Sequence, residues 1–110
     1  MNVNRVILLG RVGKDPEVRN FEGTPVANFS LATSESYKNK QGEKIETTEW
    51  HKIVAWRKTA EIVEKYVKKG SEIYVEGKIR NRTYESEGKK MYTTEIVADS
   101  IQLGPKPQAD

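Results

Sequence analysis

Cysteine is absent from the 110 residues, which excludes disulfides, thiolate nucleophiles and cysteine-based metal sites. Histidine occurs once, at His51. With no carboxylate cluster of ligand spacing beside it, neither a metal nor another cofactor is expected. There is no Gly-rich phosphate loop, no nucleophile elbow and no zinc signature. The carboxylates are scattered or set against lysines, so no catalytic residue is assigned and an enzyme is not expected. Long apolar runs are missing too. Val6-Ile7-Leu8-Leu9, between Arg5 and Arg11, is too short for a signal-peptide core, and nothing approaches a membrane span. The expectation is a soluble cytoplasmic protein with no membrane partner.

Apolar residues are scarce, at 35% against a usual ~45–50% in a count that includes glycine. One domain with one small core fits that share, and such a core is often completed by closing a barrel or by contacts between subunits. Charged residues reach 32%, above the ordinary ~25%. The net charge of +3 permits a polyanion partner, the distribution of charge mattering more than its sum.

The spacing of apolar residues predicts five strands and one helix. Val3 to Val12 is apolar on both faces, which implies burial on both, the second most simply against another subunit. Gly10 and Gly13 would permit a bend or bulge. Gly13-Lys14-Asp15-Pro16 is a turn, and Glu17 to Arg19 a short extended piece. Val26 to Tyr37 alternates with Ala27, Phe29, Leu31 and Thr33 inward. A polar, basic loop, Lys38 to Lys44, makes a protruding hairpin with the third strand, Ile45 to Trp56. A helix is expected over about Arg57–Lys69, with Ile62, Val63, Tyr66 and Val67 as its packing stripe, Glu61–Lys65 and Glu64–Lys68 as i,i+4 pairs, and Gly70 as its cap. Ser71 to Tyr84 and Met91 to Leu103 form a second hairpin around Glu85-Ser86-Glu87-Gly88-Lys89. This order predicts an all-β OB-fold: a five-stranded antiparallel Greek-key barrel with one α-helix between strands 3 and 4. Residues 1–104 form the domain, and residues 105–110 begin a C-terminal tail, disordered or cut short.

The third strand holds both tryptophans of the chain. Trp50, Lys52, Val54 and Trp56 share one face, and His51, Ile53 and Ala55 the other. Two indoles with an ammonium between them either form a platform for something flat and negatively charged, or cover a second sheet. The other aromatics favour the platform. Tyr37 and Tyr84 lie outward or at a hairpin rim, beside Lys38, Lys40 and Lys44 in one case and Arg80 and Arg82 in the other. Aromatics interleaved with Lys and Arg along a groove hold single strands without reading sequence. Phe29 and Tyr66 are assigned to packing. His51, off the platform, is expected to be a satisfied core or interface residue.

Several blocks of the sequence resemble bacterial single-stranded DNA-binding protein: Asn4-Arg5-Val6-Ile7-Leu8-Leu9-Gly10, Asp15-Pro16-Glu17-Val18-Arg19, Leu31-Ala32-Thr33-Ser34-Glu35-Ser36, Thr48-Glu49-Trp50-His51, Tyr66-Val67-Lys68-Lys69-Gly70-Ser71 and Tyr92-Thr93-Thr94-Glu95. They run in family order over essentially the whole domain. The resemblance implies an OB-fold homotetramer that wraps single-stranded DNA, nucleoid-associated in a bacterial cytoplasm, in replication, recombination and repair. It implies stacking at Tyr37, Trp50, Trp56 and Tyr84, and basic contacts at Arg5, Lys40, Lys52, Lys58, Lys69, Arg80 and Arg82. His51 falls near a subunit interface. The family usually continues into a long tail ending in an acidic peptide that recruits replication and repair proteins; this sequence stops at Gln108-Ala109-Asp110, which puts that recruitment in question. The competing expectation is a primosomal accessory module or an OB-fold protein–protein adaptor.

Overall fold

The computed structural model describes residues 1–105; most of the expected tail, residues 106–110, lies outside them. The elements are β1 (Val6–Val12), β2 (Glu17–Phe21), β3 (Thr24–Lys38), β4 (Lys44–Trp56), α1 (Lys58–Tyr66), β5 (Glu72–Ser86) and β6 (Lys89–Leu103). They form one sheet in the order β1-β5-β6-β4-β3-β2, which a further β1–β3 pairing closes into a ring.

Two features correct the expected five-stranded antiparallel architecture. Glu17–Phe21 is a sixth strand, paired antiparallel to β3 from Glu17↔Asn28 to Phe21↔Thr24. Its turn places Glu22 at φ 50 and Gly23 at φ 83, the two positive φ angles of the tight hairpin turn that suits strand twist. The sheet is also not wholly antiparallel, because β4 and β6 run parallel through Ile53↔Ile96 and Val54↔Val97.

The core follows strand alternation. Leu31, Ile53, Ile73 and Val75 are fully buried from the sheet, and Val63 covers them from the helix. Phe29 is buried as expected. The ring closes tightly where β1 crosses β3. A Cβ at Gly10 would collide with the Ala32 carbonyl oxygen, so the close approach needs a residue without one.

The helix is shorter than its pattern suggests. It stops at Tyr66 because Val67 turns extended at φ −94, ψ 126, leaving Lys68 outside the helix and without its i,i+4 pairing to Glu64. Ala60, Val63 and Val67 are buried, while Ile62 and Tyr66 stay exposed, so half of the expected stripe faces away from the core. Gly70 caps nothing: at φ 86 it donates its N–H to the Val12 carbonyl at 2.8 Å, tying the loop to the end of β1.

Beyond the ring two hairpins continue as arms. On β3–β4 every residue from Ser34 to Lys38 and from Glu46 to Trp50 is exposed, and on β5–β6 the same holds from Lys78 to Tyr92. The first arm ends in a turn in which the Asn39 carboxamide oxygen accepts the Gln41 and Glu43 N–H groups at 3.0 and 2.9 Å. The second ends with Glu87 and Gly88 both at positive φ.

Candidate nucleic-acid interface

Directly paired residues of neighbouring strands share a sheet face, so the pairing register fixes which side chains meet. On β4, Trp50, Lys52, Val54 and Trp56 oppose Ala32, Ser30, Asn28 and Val26 of β3. The same face extends to Glu17, Arg19 and Phe21 of β2, which oppose Asn28, Val26 and Thr24. In the other direction Val54 pairs with Val97, and Val97 shares its side of β5–β6 with Glu95, Lys78, Arg80, Arg82 and Tyr84. One outer surface of the ring thus runs unbroken from β2 across β3, β4 and β6 to β5.

Trp56 is the centre of this surface. Its indole is half-buried and stands edge-on to Phe21, with ring centroids 6.4 Å apart and an interplanar angle of 88°. The T-shaped pair walls a cleft of about 540 Å³ floored by Val26 and Val54, with Arg82 and Glu95 on its far side. Val54, expected outward, is 4% exposed because it lies between Trp56 and the neighbouring strand β6. A second hollow beside Trp56 is lined by Arg57, Thr59 and Arg80. The chain enters α1 through Arg57 at φ 55, its N–H donating to the Pro25 carbonyl at 2.9 Å.

Trp50 lies at the other end of the same face, 62% exposed. Its six-membered ring rests on Gly13, where an added Cβ would come within 2.5 Å of Cζ3 and 2.9 Å of Cη2. Between the tryptophans, Lys52 borders a shallow hollow with Lys14, Asn28 and Ser30. Lys69 joins this end as well, since its N–H donates to the Asp15 carboxylate at 2.8 Å and so sits by the loop that carries Gly13. Lys58 opens α1 two residues after Trp56, and Lys40 lies in the turn of the β3–β4 arm.

Two expected residues stand apart. Tyr37 pairs with Ile45, on the face of the β3–β4 ribbon opposite Trp50, although it is well exposed. Arg5 is held in an ion pair with Glu76 at 2.8 Å. Glu76 also accepts a hydrogen bond from the Tyr74 hydroxyl. That bond, then burial and the carboxylate's charge, raise the Tyr74 pKa above its ordinary value, with Arg5 pulling the other way. His51 lies off the indole face, half-buried, and shares a hydrogen bond of 2.8 Å with the Thr33 hydroxyl.

The sequence reading missed Phe21, Arg19, Lys14 and Arg57. A signal existed for the first two: Glu17, Arg19 and Phe21 alternate with Val18, a strand pattern of which only Glu17 to Arg19 is read, as a short extended piece. Nothing in local composition marks Arg57. Among the described residues no group of three or more His, Cys, Asp or Glu side chains could hold a metal ion. No helix there is long and apolar enough to cross a membrane.

Comparison with known proteins shows the family. The profile of the Single-strand binding protein family matches residues 3–104. A Single-stranded DNA-binding protein of Neisseria meningitidis serogroup A is 46% identical over 105 residues, covering 94% of this chain and 60% of the relative. Single-stranded DNA-binding protein 1 of Chlorobaculum tepidum is 46% identical over 104 residues, covering 92% and 64%. This chain therefore spans somewhat less than two thirds of the length of these relatives. A solved structure described as Plasmodium falciparum SSB complex with ssDNA superposes with a TM-score of 0.86 at 30% identity, covering 96% of this chain and 97% of that one. The chain belongs to the single-strand binding protein family.

Proposed function

We propose that the protein binds single-stranded DNA without reading its sequence overall, protecting exposed strands in replication, recombination and repair, and that it catalyses no reaction. The observation that carries this reading is the single outer face on which Trp50 and Trp56 stand with Lys52, Arg80 and Arg82. Bases stack on the rings at about 1–3 kcal/mol each, and phosphates meet the cations. In this reading Tyr84 extends the track along the β5–β6 arm, while Tyr37 and Lys40 take up the strand at the tip of the other arm, where it passes around the ribbon edge. Lys58 and Lys69 contact phosphates at the two ends of the indole face, and Arg5 does so once the strand passes β1.

The reading extends to assembly. Residues 1–104 act as one OB-type domain, and the subunits associate as a homotetramer in the bacterial cytoplasm, associated with the nucleoid. The support for association is on β1, where Ile7 and Leu9 are both exposed on the side of the ring that carries Tyr74 and Glu76. Adjacent apolar side chains of that kind mark an interaction surface. Recruitment of replication and repair proteins belongs to the longer members of the family and is proposed here only for a chain that carries an acidic tail.

Anisotropy of labelled oligo(dT) at two salt concentrations, with duplex of equal length as control, tests the function. Binding of the single strand that weakens with salt, and clear preference over duplex, is the expected result. Affinity for neither form at low salt would remove the reading and leave the indoles to a protein partner.

A further inference from the structure

Within the cleft beside Trp56 lies a charged group that a purely stacking surface does not need. The Glu95 side chain is only 8% exposed, and its described ion-pair partner, Arg82, approaches no nearer than 3.7 Å, beyond hydrogen-bond reach. A carboxylate accepts hydrogen bonds only. Since no buried side-chain oxygen is left without a partner among the described residues, the Glu95 group keeps an opening onto the cleft it lines, where a donor can reach it. Arg19 and Arg82 border the same cleft, so the net local charge still admits a polyanion. The walls suit a nucleobase: an aromatic edge-to-face pair on one side, two valines beneath, and the Asn28 carboxamide within the lining.

From this arrangement we infer that the cleft seats one unstacked nucleobase with its Watson–Crick edge toward Glu95, and that it favours guanine. The inference rests on the reading of this face as a single-strand binding surface. In a single strand the Watson–Crick edge is free to be read. Guanine presents two adjacent donors there, N1–H and the 2-amino group, which match the two oxygens of one carboxylate. Cytosine and adenine offer one amino donor beside an acceptor nitrogen. Thymine sets a single N–H between two carbonyl oxygens, which a carboxylate repels. The protein as a whole still binds any strand, because its other aromatic positions read no edges. The bias belongs to one position of the track.

Short oligothymidylates of equal length, carrying dG, dI or dT at one central position, test this in competition titrations. Hypoxanthine keeps N1–H and lacks the 2-amino group, so it separates the two donors. Matched bidentate pairs discriminate by on the order of five- to a hundredfold, and an open cleft belongs at the low end. The expected order is dG tightest, about fivefold over dT, with dI between. In Glu95→Gln the dG-over-dT ratio collapses toward one, whatever the change in overall affinity. Equal affinity for the three oligomers in the native protein overturns the inference, even if the variant does not fold. So does a dG-over-dT ratio that survives in a folded Glu95→Gln variant. Failure to bind any of the three overturns the single-strand reading itself, and the base preference with it.

Discussion

Trp56 and Trp50 stand on the same face of the same strand, yet their surroundings differ in kind. Beneath Trp56 lie the buried Val26 and Val54 of the outer face, and Phe21 braces its edge. Trp50 lies over Gly13 and is largely exposed, and past it the strand leaves the ring for an arm exposed on both faces. One aromatic is braced by a second ring before any ligand arrives, whereas the other stands largely open to solvent. A single polypeptide can in this way combine a fixed anchor with adaptable arms that follow a flexible strand.

Substitutions can break that contrast in order of size. Ile53→Ala empties a fully buried site under the anchor and should cost about 2–5 kcal/mol, read by urea unfolding. Tyr84→Ala on the arm should change stability by no more than about 0.5 kcal/mol. Trp56→Ala and Trp50→Ala should each weaken oligo(dT) binding, within the span of roughly 1–3 kcal/mol per stacked base. The braced Trp56 should give the larger loss in isothermal titration. Lys52→Ala should weaken binding evenly across sequences and lower the slope of log affinity against log salt by about 0.7, the value for one phosphate contact on a single strand. The subtlest change is Gly13→Ala. Its backbone is not in the left-handed region, so alanine should hold or slightly raise stability, by up to ~1 kcal/mol. The methyl should nevertheless displace the Trp50 indole, visible as a shifted emission maximum in a Trp56→Phe background.

The same contrast explains what the sequence made legible. Where a residue touches the core, alternation spoke clearly: Phe29, Leu31, Ile53 and Ile73 fell inward, and Trp50, Lys52 and Trp56 outward, as strand periodicity demands. Local pattern failed where a contact is made at long range. Val54 has the parity of an exposed residue and is buried through its parallel pairing with Val97, a partner 43 positions on. Phe21 carried the alternation of a strand, but its place as a wall of the site follows only from the long-range pairing of β2 with β3 and of β3 with β4 that brings it to Trp56. The helix misled for a related reason: Ile62 and Tyr66 satisfy the amphipathic period, but the sheet is reached only from the side of Ala60, Val63 and Val67. Tyr37 is picked out both by its place at the hairpin rim and by the resemblance, and neither carries the pairing register. Its register sets it behind Trp50, so any base it holds must pass around the edge of the arm.

The most direct test uses two single-tryptophan variants, Trp50→Phe and Trp56→Phe, titrated with oligo(dT) at low and high salt. Each remaining indole then reports its own place on the face. The account predicts quenching of both, at ligand concentrations that rise with salt, with the emission of free Trp56 already that of a partly shielded ring. Binding that leaves either indole unquenched would contradict a continuous stacking face through Trp50 and Trp56.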